Sequence, residues 1–142
     1  MGGGLAVRSV HDNYVYAYAV LCEEQRIVLY THYRDGEANE FTDLIFTGVV
    51  AHLLEGGHDS NILLDVGEVP LEALVLQNAE LFEREKKYGW PRIEYEGLDD
   101  LLRILREQGV RAYGVKSAYG LGGWVLAMRM EQVERETRWR AE

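Results

Sequence analysis

The sequence predicts an α+β fold: an antiparallel meander sheet, two central helices packed on one face of it, and a C-terminal β-hairpin. Three patterns carry this expectation. Residues alternate with a period of two through most of 13–69, apolar residues recur at spacings of three and four over 71–88 and 98–109, and the period of two returns over 110–130. Strands, then helices, then strands is the chain order of segregated α+β layers.

The first strand runs from Asn13 to Leu21, with Tyr14, Tyr16, Tyr18 and Val20 on one side and Val15, Ala17, Ala19 and Leu21 on the other. Glu23-Glu24-Gln25 is a polar break. Ile27 to Tyr33 then alternates as a hairpin partner, and Asp35-Gly36 marks the next turn. Phe41 to Leu54 reads as one long strand, kinked at Gly48 by a bulge or bend. The turn formers of 56–61 lead into a further strand from Ile62 to Val69.

Pro70 suits the first position of a helix, and Gly89 followed by Pro91 is a stop signal, which predicts a helix from Leu71 to Tyr88. Its apolar face carries Leu71, Leu74, Val75, Asn78, Leu81 and Phe82. A shorter helix follows, with Leu98, Leu101, Leu102 and Leu105 on one face, Asp99 and Asp100 in its first turn, and Gly109 as its C-terminal cap. Val110 to Ser117 and Trp124 to Met130 form the closing hairpin around Tyr119-Gly120-Leu121-Gly122-Gly123. The chain reads as a single domain over 1–142, with a flexible glycine leader at 1–10 and a charged tail at about 131–142, a short helix or disordered, with Trp139 as its one apolar anchor.

The 24 acidic against 15 basic side chains give a net charge of −9, which disfavours phosphate backbones and anionic lipid and favours a basic partner. Residues 1–54, 55–100 and 101–142 carry −4, −8 and +3, so the middle of the chain holds most of the field. A single cysteine, Cys22, excludes an intramolecular disulfide and suits a reducing, cytoplasmic compartment. The apolar runs are too short for a bilayer span of about 20 residues.

No catalytic residue, metal site or cofactor is expected. His11-Asp12 and His58-Asp59 have the letters of a metal-dependent phosphohydrolase signature, but they fall in loops flanking strands rather than on helices. The one metal constellation that can be assembled combines His32, His52, Glu55, His58 and Asp65. Gly120-Leu121-Gly122-Gly123 opens a strand and lacks the spacing of a dinucleotide loop, so hairpin geometry explains it. Glu23 and Glu24 would raise the Cys22 thiol pKa, and Ser117 lies in no nucleophile elbow.

The tyrosines give the stronger signal. Tyr14, Tyr16 and Tyr18, with Tyr30 and His32 on the neighbouring strand, form an amphipathic stripe of the kind enriched at protein interfaces. Either this stripe is the open side of the sheet or it lies under the helices. Glu55 and Asp59 add acidic contacts, giving Tyr14, Tyr16, Tyr18, Tyr30, His32, Glu55 and Asp59 as the candidate binding set.

His11-Asp12-Asn13-Tyr14-Val15-Tyr16, Phe46-Thr47-Gly48-Val49, Asn61-Ile62-Leu63-Leu64-Asp65 and Tyr119-Gly120-Leu121-Gly122-Gly123-Trp124 resemble small acidic bacterial immunity proteins of polymorphic toxin systems. The resemblance implies a stoichiometric inhibitor that covers a toxin's active site with acidic groups. The function expected is therefore a non-enzymatic protein-binding module, for a basic protein or a second copy of itself, with no nucleic-acid or membrane partner. The alternative is a small hydrolase or ligand-binding protein with a pocket between sheet and helices, served by His52, His58 and Asp65.

Overall fold

The computed structural model describes residues 9–141 and shows an α+β architecture of eight antiparallel strands and three α-helices. The strands are β1 (Tyr14–Leu21), β2 (Arg26–Asp35), β3 (Ala38–Thr47), β4 (Ala51–Glu55), β5 (Asn61–Val69), β6 (Arg111–Tyr119), β7 (Gly122–Ala127) and β8 (Arg129–Arg135), in the sheet order β4-β7-β6-β5-β1-β2-β3-β8. Between β5 and β6 come α1 (Leu71–Gln77), α2 (Ala79–Glu85), a 3-10 turn (Lys86–Tyr88) and α3 (Leu98–Glu107). Residues 1–8 of the expected glycine leader lie outside the described residues, and Val10 at its end is buried in the core.

The sheet order departs from a meander because β4 and β5 are not neighbours; β5 runs between β1 and β6. The expected single strand from Phe41 to Leu54 is two strands with different partners, β3 between β2 and β8 and β4 against β7. Gly48 separates them, with a φ of +66° and no room for a Cβ, which would stand 2.8 Å from Cγ of Met128. The chain bends in the same way opposite, between β7 and β8. At this double bend the Met128 N–H donates to the carbonyls of Thr47 and Gly48, at 3.0 and 3.3 Å, and the Val50 N–H donates to that of Leu126 at 2.9 Å. The run 38–55 is thus paired with the run 122–135 on both sides of the bend. The two ends of the strand order are continuations of these same two runs, so the sheet closes on itself as a barrel.

The inside of the closure is apolar. Ile27 and Leu29 of β2, Leu44 and Phe46 of β3, Leu63 and Val66 of β5, Tyr113 and Val115 of β6 and Val125 of β7 meet there, with Val10 and Leu121 at its rims. Its polar members are hydrogen-bonded except at the Asn13 amide oxygen, which has no partner among the described residues. Asn13 donates to the Thr31 hydroxyl at 3.0 Å, and Thr31 donates to the Thr42 carbonyl at 2.7 Å. Asn61 donates to the carbonyls of Val15 and His58 and accepts from the N–H groups of His58 and Leu121, tying the 56–60 loop to the β6–β7 connection.

Outside the barrel, α1, α2 and α3 share a second core with β4, β6 and β7, formed by Leu74, Val75, Phe82, Leu101, Leu105 and their strand partners Ala51, Ala112, Trp124 and Leu126. The expected helix from Leu71 to Tyr88 is broken at Asn78. Its side chain donates to the Leu74 carbonyl at 2.8 Å, competing with the helical ladder, and accepts from the Trp124 indole at 3.2 Å. The charged tail is ordered in part as β8, which pairs with β3 from Arg129↔Thr47 to Arg135↔Phe41. A strand of mostly polar residues is stable there because one ladder and one face suffice for it.

Closure makes a sharp demand at Gly123, where φ is +145° and an added Cβ would lie 1.8 Å from the Leu53 carbonyl oxygen. Gly123→Ala is expected to cost about 3 kcal/mol or more in urea unfolding, from steric conflict with backbone and an unfavourable φ. Gly67→Ala, whose Cβ would meet nothing within 4 Å, should stay within about 0.5 kcal/mol of the parent.

Candidate functional site

The β1–β2–β3 side of the barrel carries the strongest concentration of chemistry on the surface. Directly paired residues of antiparallel strands point to the same side, so the register assigns each side chain. Val15 pairs with Thr31 and Ala17 with Tyr30, which leaves Tyr16 as the extra residue of a bulge. Before it, Tyr14 pairs with His32 on the outer side. After it, Ala17 and Ala19 face outward with Tyr30 and Val28. Tyr18 pairs with Leu29 of the inner core, so it lies at the barrel mouth, its ring reaching Gly57.

The single tyrosine face expected from alternation is therefore two groups. Tyr14, Tyr16, Tyr30 and His32 share the outer face, whereas Tyr18 belongs with the 56–60 loop that carries Asp59 and follows Glu55. Glu55 and Asp59 are exposed, and Asp59 lies 3.4 Å from the His58 ring. The helices do not cover the outer tyrosines, since their core forms on the β4, β6 and β7 side.

What covers Tyr16 and Tyr30 is the segment after β8, while Tyr14 stays exposed. Trp139 stacks on Tyr30 with ring centroids 4.2 Å apart and planes 10° from parallel, and its N–H donates to the Tyr16 hydroxyl at 2.9 Å. Arg138 lies 4.0 Å above the Tyr16 ring. Beneath these rings are Val28 and Ile45, and beside them His32 stacks on Phe41 at 4.6 Å while its Nε2 bonds the Asn39 amide oxygen at 2.8 Å. Asp43, only 3% exposed, accepts from Arg135 Nε at 2.5 Å, and its other oxygen has no hydrogen-bond partner among the described residues. Hydrogen bonding to this carboxylate raises the Arg135 pKa, while burial, followed by the Asp43 charge, raises that of Tyr30.

The hold of this segment is modest. An aromatic pair contributes about 0.5–1.5 kcal/mol beyond its burial and an exposed cation–π contact about 0.5–1 kcal/mol. One hydrogen bond adds about 0.5–1.5 kcal/mol, against about 1 kcal/mol or more of backbone entropy for each residue ordered. Phe41, Asp43, Arg135 and Arg138 were not anticipated as site residues. An acid within the apolar run Phe41–Phe46 was the available signal, together with the lone Trp139 in a charged tail.

A second feature is a cleft of about 330 Å³ between α1 and strands β5 to β7, walled by Val69, Ala73, Leu74 and Trp124, with Gln77 and Lys116 as polar groups. His52, His58 and Asp65, the polar residues expected for such a pocket, do not line it. His52 lies on β4, where burial lowers its pKa. His32 on β2 and His52 on β4 are not on neighbouring strands, and no group of three potential metal ligands forms among the described residues. No described helix is long and apolar enough to cross a membrane.

Comparison with protein families, curated proteins and solved structures finds no match for this chain.

Because Tyr30 holds its proton more tightly in the folded chain than in the unfolded one, its contribution to stability is complete below pH of about 10 and is lost as pH rises through the folded value. An absorbance titration of the parent and Tyr30→Phe checks this: the difference between them should titrate above pH of about 10. A difference that titrates at or below that value would contradict the buried stack.

Proposed function

We propose that this chain is a non-catalytic protein-binding domain that recognises a basic partner protein through the outer face of β1–β3, in the manner of an immunity protein. The observation that carries the reading is the make-up of that face. Tyr14 is 45% exposed, Tyr16, His32 and Phe41 are half-buried beside it, and the turns at its two ends hold the exposed acids Glu23 and Glu24, and Asp35 and Glu37. An amphipathic aromatic centre with a charged rim is the usual anatomy of a recognition surface. The net charge of −9 would speed encounter with a basic protein and make the association salt-sensitive. Free, exposed Cys22 fits work in a reducing compartment such as the cytoplasm. Nucleic acid and membrane surfaces are disfavoured by the same charge.

The test is affinity capture from lysate of the source organism at low and high salt, with the parent protein and with Tyr14→Glu. The expected result is one basic protein in stoichiometric yield at low salt, released at high salt, and reduced at least about tenfold by Tyr14→Glu, as for an interface anchor. Equal capture by both proteins would remove this face from the interaction.

The cleft under α1 favours a second reading, a small-ligand site, because its volume lies at the lower end of the range for such sites, about 300–1,000 Å³. Its chemistry, an apolar wall of Trp124 with the Lys116 ammonium at the edge, suits a small apolar carboxylate. A series of aliphatic and aromatic carboxylates should then raise the melting temperature and change the tryptophan fluorescence of the parent, but not of Lys116→Glu. No shift with any member of the series would dismiss the reading.

A further inference from the structure

Residues 136–141 lie beyond the last strand, belong to no helix or strand, and are exposed except for Trp139. Yet three features of this segment are read at once by the sheet: the indole by Tyr30, the guanidinium before it by Tyr16, and the backbone N–H between them by the Tyr16 hydroxyl. That is recognition of a short extended peptide by its side chains and its main chain together. We propose that the outer face of β1–β3 is a groove for a basic–aromatic peptide segment of a partner protein, and that Arg138-Trp139 of this chain occupies the groove until that partner displaces it.

The proposal deepens the protein-binding reading given above and rests on it. The occupant seen in the structure defines the chemistry of the guest. A flat aromatic ring fits over Tyr30, above a floor of Val28, Ile45, Ala17 and Ala19. A guanidinium fits over Tyr16 at cation–π distance. The buried Asp43 carboxylate, paired with Tyr30 across the β2–β3 ladder, adds negative charge beside the Tyr30 ring. The strong net negative charge of the chain favours basic segments in general. Displacement is feasible because the resident segment forms no ladder with the sheet and leaves Arg138 and Arg140 exposed. A guest must compete with it, so the resident segment lowers the apparent affinity by the fraction of time it is bound.

The experiment uses the full chain and a synthetic peptide of residues 136–141, Glu-Thr-Arg-Trp-Arg-Ala, with a control peptide in which Trp is replaced by Ala. Titration calorimetry is run on the parent, on Trp139→Ala, and on Trp139→Ala combined with Tyr16→Ala, each checked for folding by circular dichroism. The expected result is binding to Trp139→Ala about tenfold or more tighter than to the parent, loss of that gain in the double variant, and no binding of the control peptide. Arg138→Glu, an exposed change that leaves Trp139 in place, serves as the second opened variant should Trp139→Ala fail to fold, with a gain of several-fold expected.

Equal affinity of parent and opened variants, or equal affinity of the two peptides, would overturn the proposal. A parent that sediments as a dimer, with Trp139→Ala monomeric, would also overturn it, by assigning the groove to the same segment of a second copy. Failure of the proposal is separable from failure of the broader reading. Capture of a basic protein that depends on Tyr14, with no peptide binding, leaves the protein-binding face standing and removes the groove.

Discussion

The pairing of residues 38–55 with residues 122–135 across the bend at Gly48 and Met128 is the constraint on which the rest of the structure depends. Without it β7 and β3 would be the two open edges of a six-stranded sheet, each presenting unpaired N–H and C=O groups. With it the sheet acquires an inside. Leu29, Leu44, Phe46, Leu63 and Val125 are fully buried because they face one another across the closure, without help from any helix. The bend needs glycine on one run and a residue outside the ladder on the other, and Gly48 and Met128 supply them.

A closed sheet has only one other side, and here that side is covered by two means of unequal strength. Over β4, β6 and β7 lie the helices, whose Val75, Phe82, Leu101 and Leu105 are completely inaccessible. Over β1–β3 lies a short segment with one aromatic anchor, and Trp139 is itself only half-buried. The apolar floor beneath it, Val28 and Ile45, is nevertheless nearly as buried as a helix-covered core. A surface that needs covering and has only a weak cover is where an exchange of partners costs least, since the free energy of opening is small. This asymmetry, rather than any single residue, distinguishes the β1–β3 face from the remainder of the molecule.

Much of this was legible in the sequence, and the exceptions share a cause. The alternating runs located the first two strands, the helix of Leu98 to Glu107 was readable from its leucine spacing, and Gly48 was read as a bend. Spacing puts Asn78 on the apolar face of a continuous helix and does not reveal that its amide bonds the carbonyl four residues back and receives the Trp124 indole. Glu131 to Arg135 reads as part of a tail because its residues are mostly polar. Its strand character comes from the ladder with β3, a partner about ninety residues away. Periodicity reports local geometry, and each of these features depends on a distant contact.

The bulge at Tyr16 shows how far one such irregularity reaches. Perfect alternation would align Tyr14, Tyr16 and Tyr18 and turn Ala17 and Ala19 to the opposite side. One extra residue opposite Tyr30 reverses the phase, keeping Val15 in the barrel and putting Ala17 and Ala19 outward. The small alanine side chains then pack with Trp139 against Val28, Tyr30 and Ile45, and Tyr16, outside the ladder, lies beside them with its hydroxyl accepting from the Trp139 backbone N–H. Tyr18, sent to the other side, serves the 56–60 loop instead. The groove is thus a consequence of the phase change: a regular strand of the same composition would bury a tyrosine stripe or expose it whole, and would have no place for an indole to lie flat.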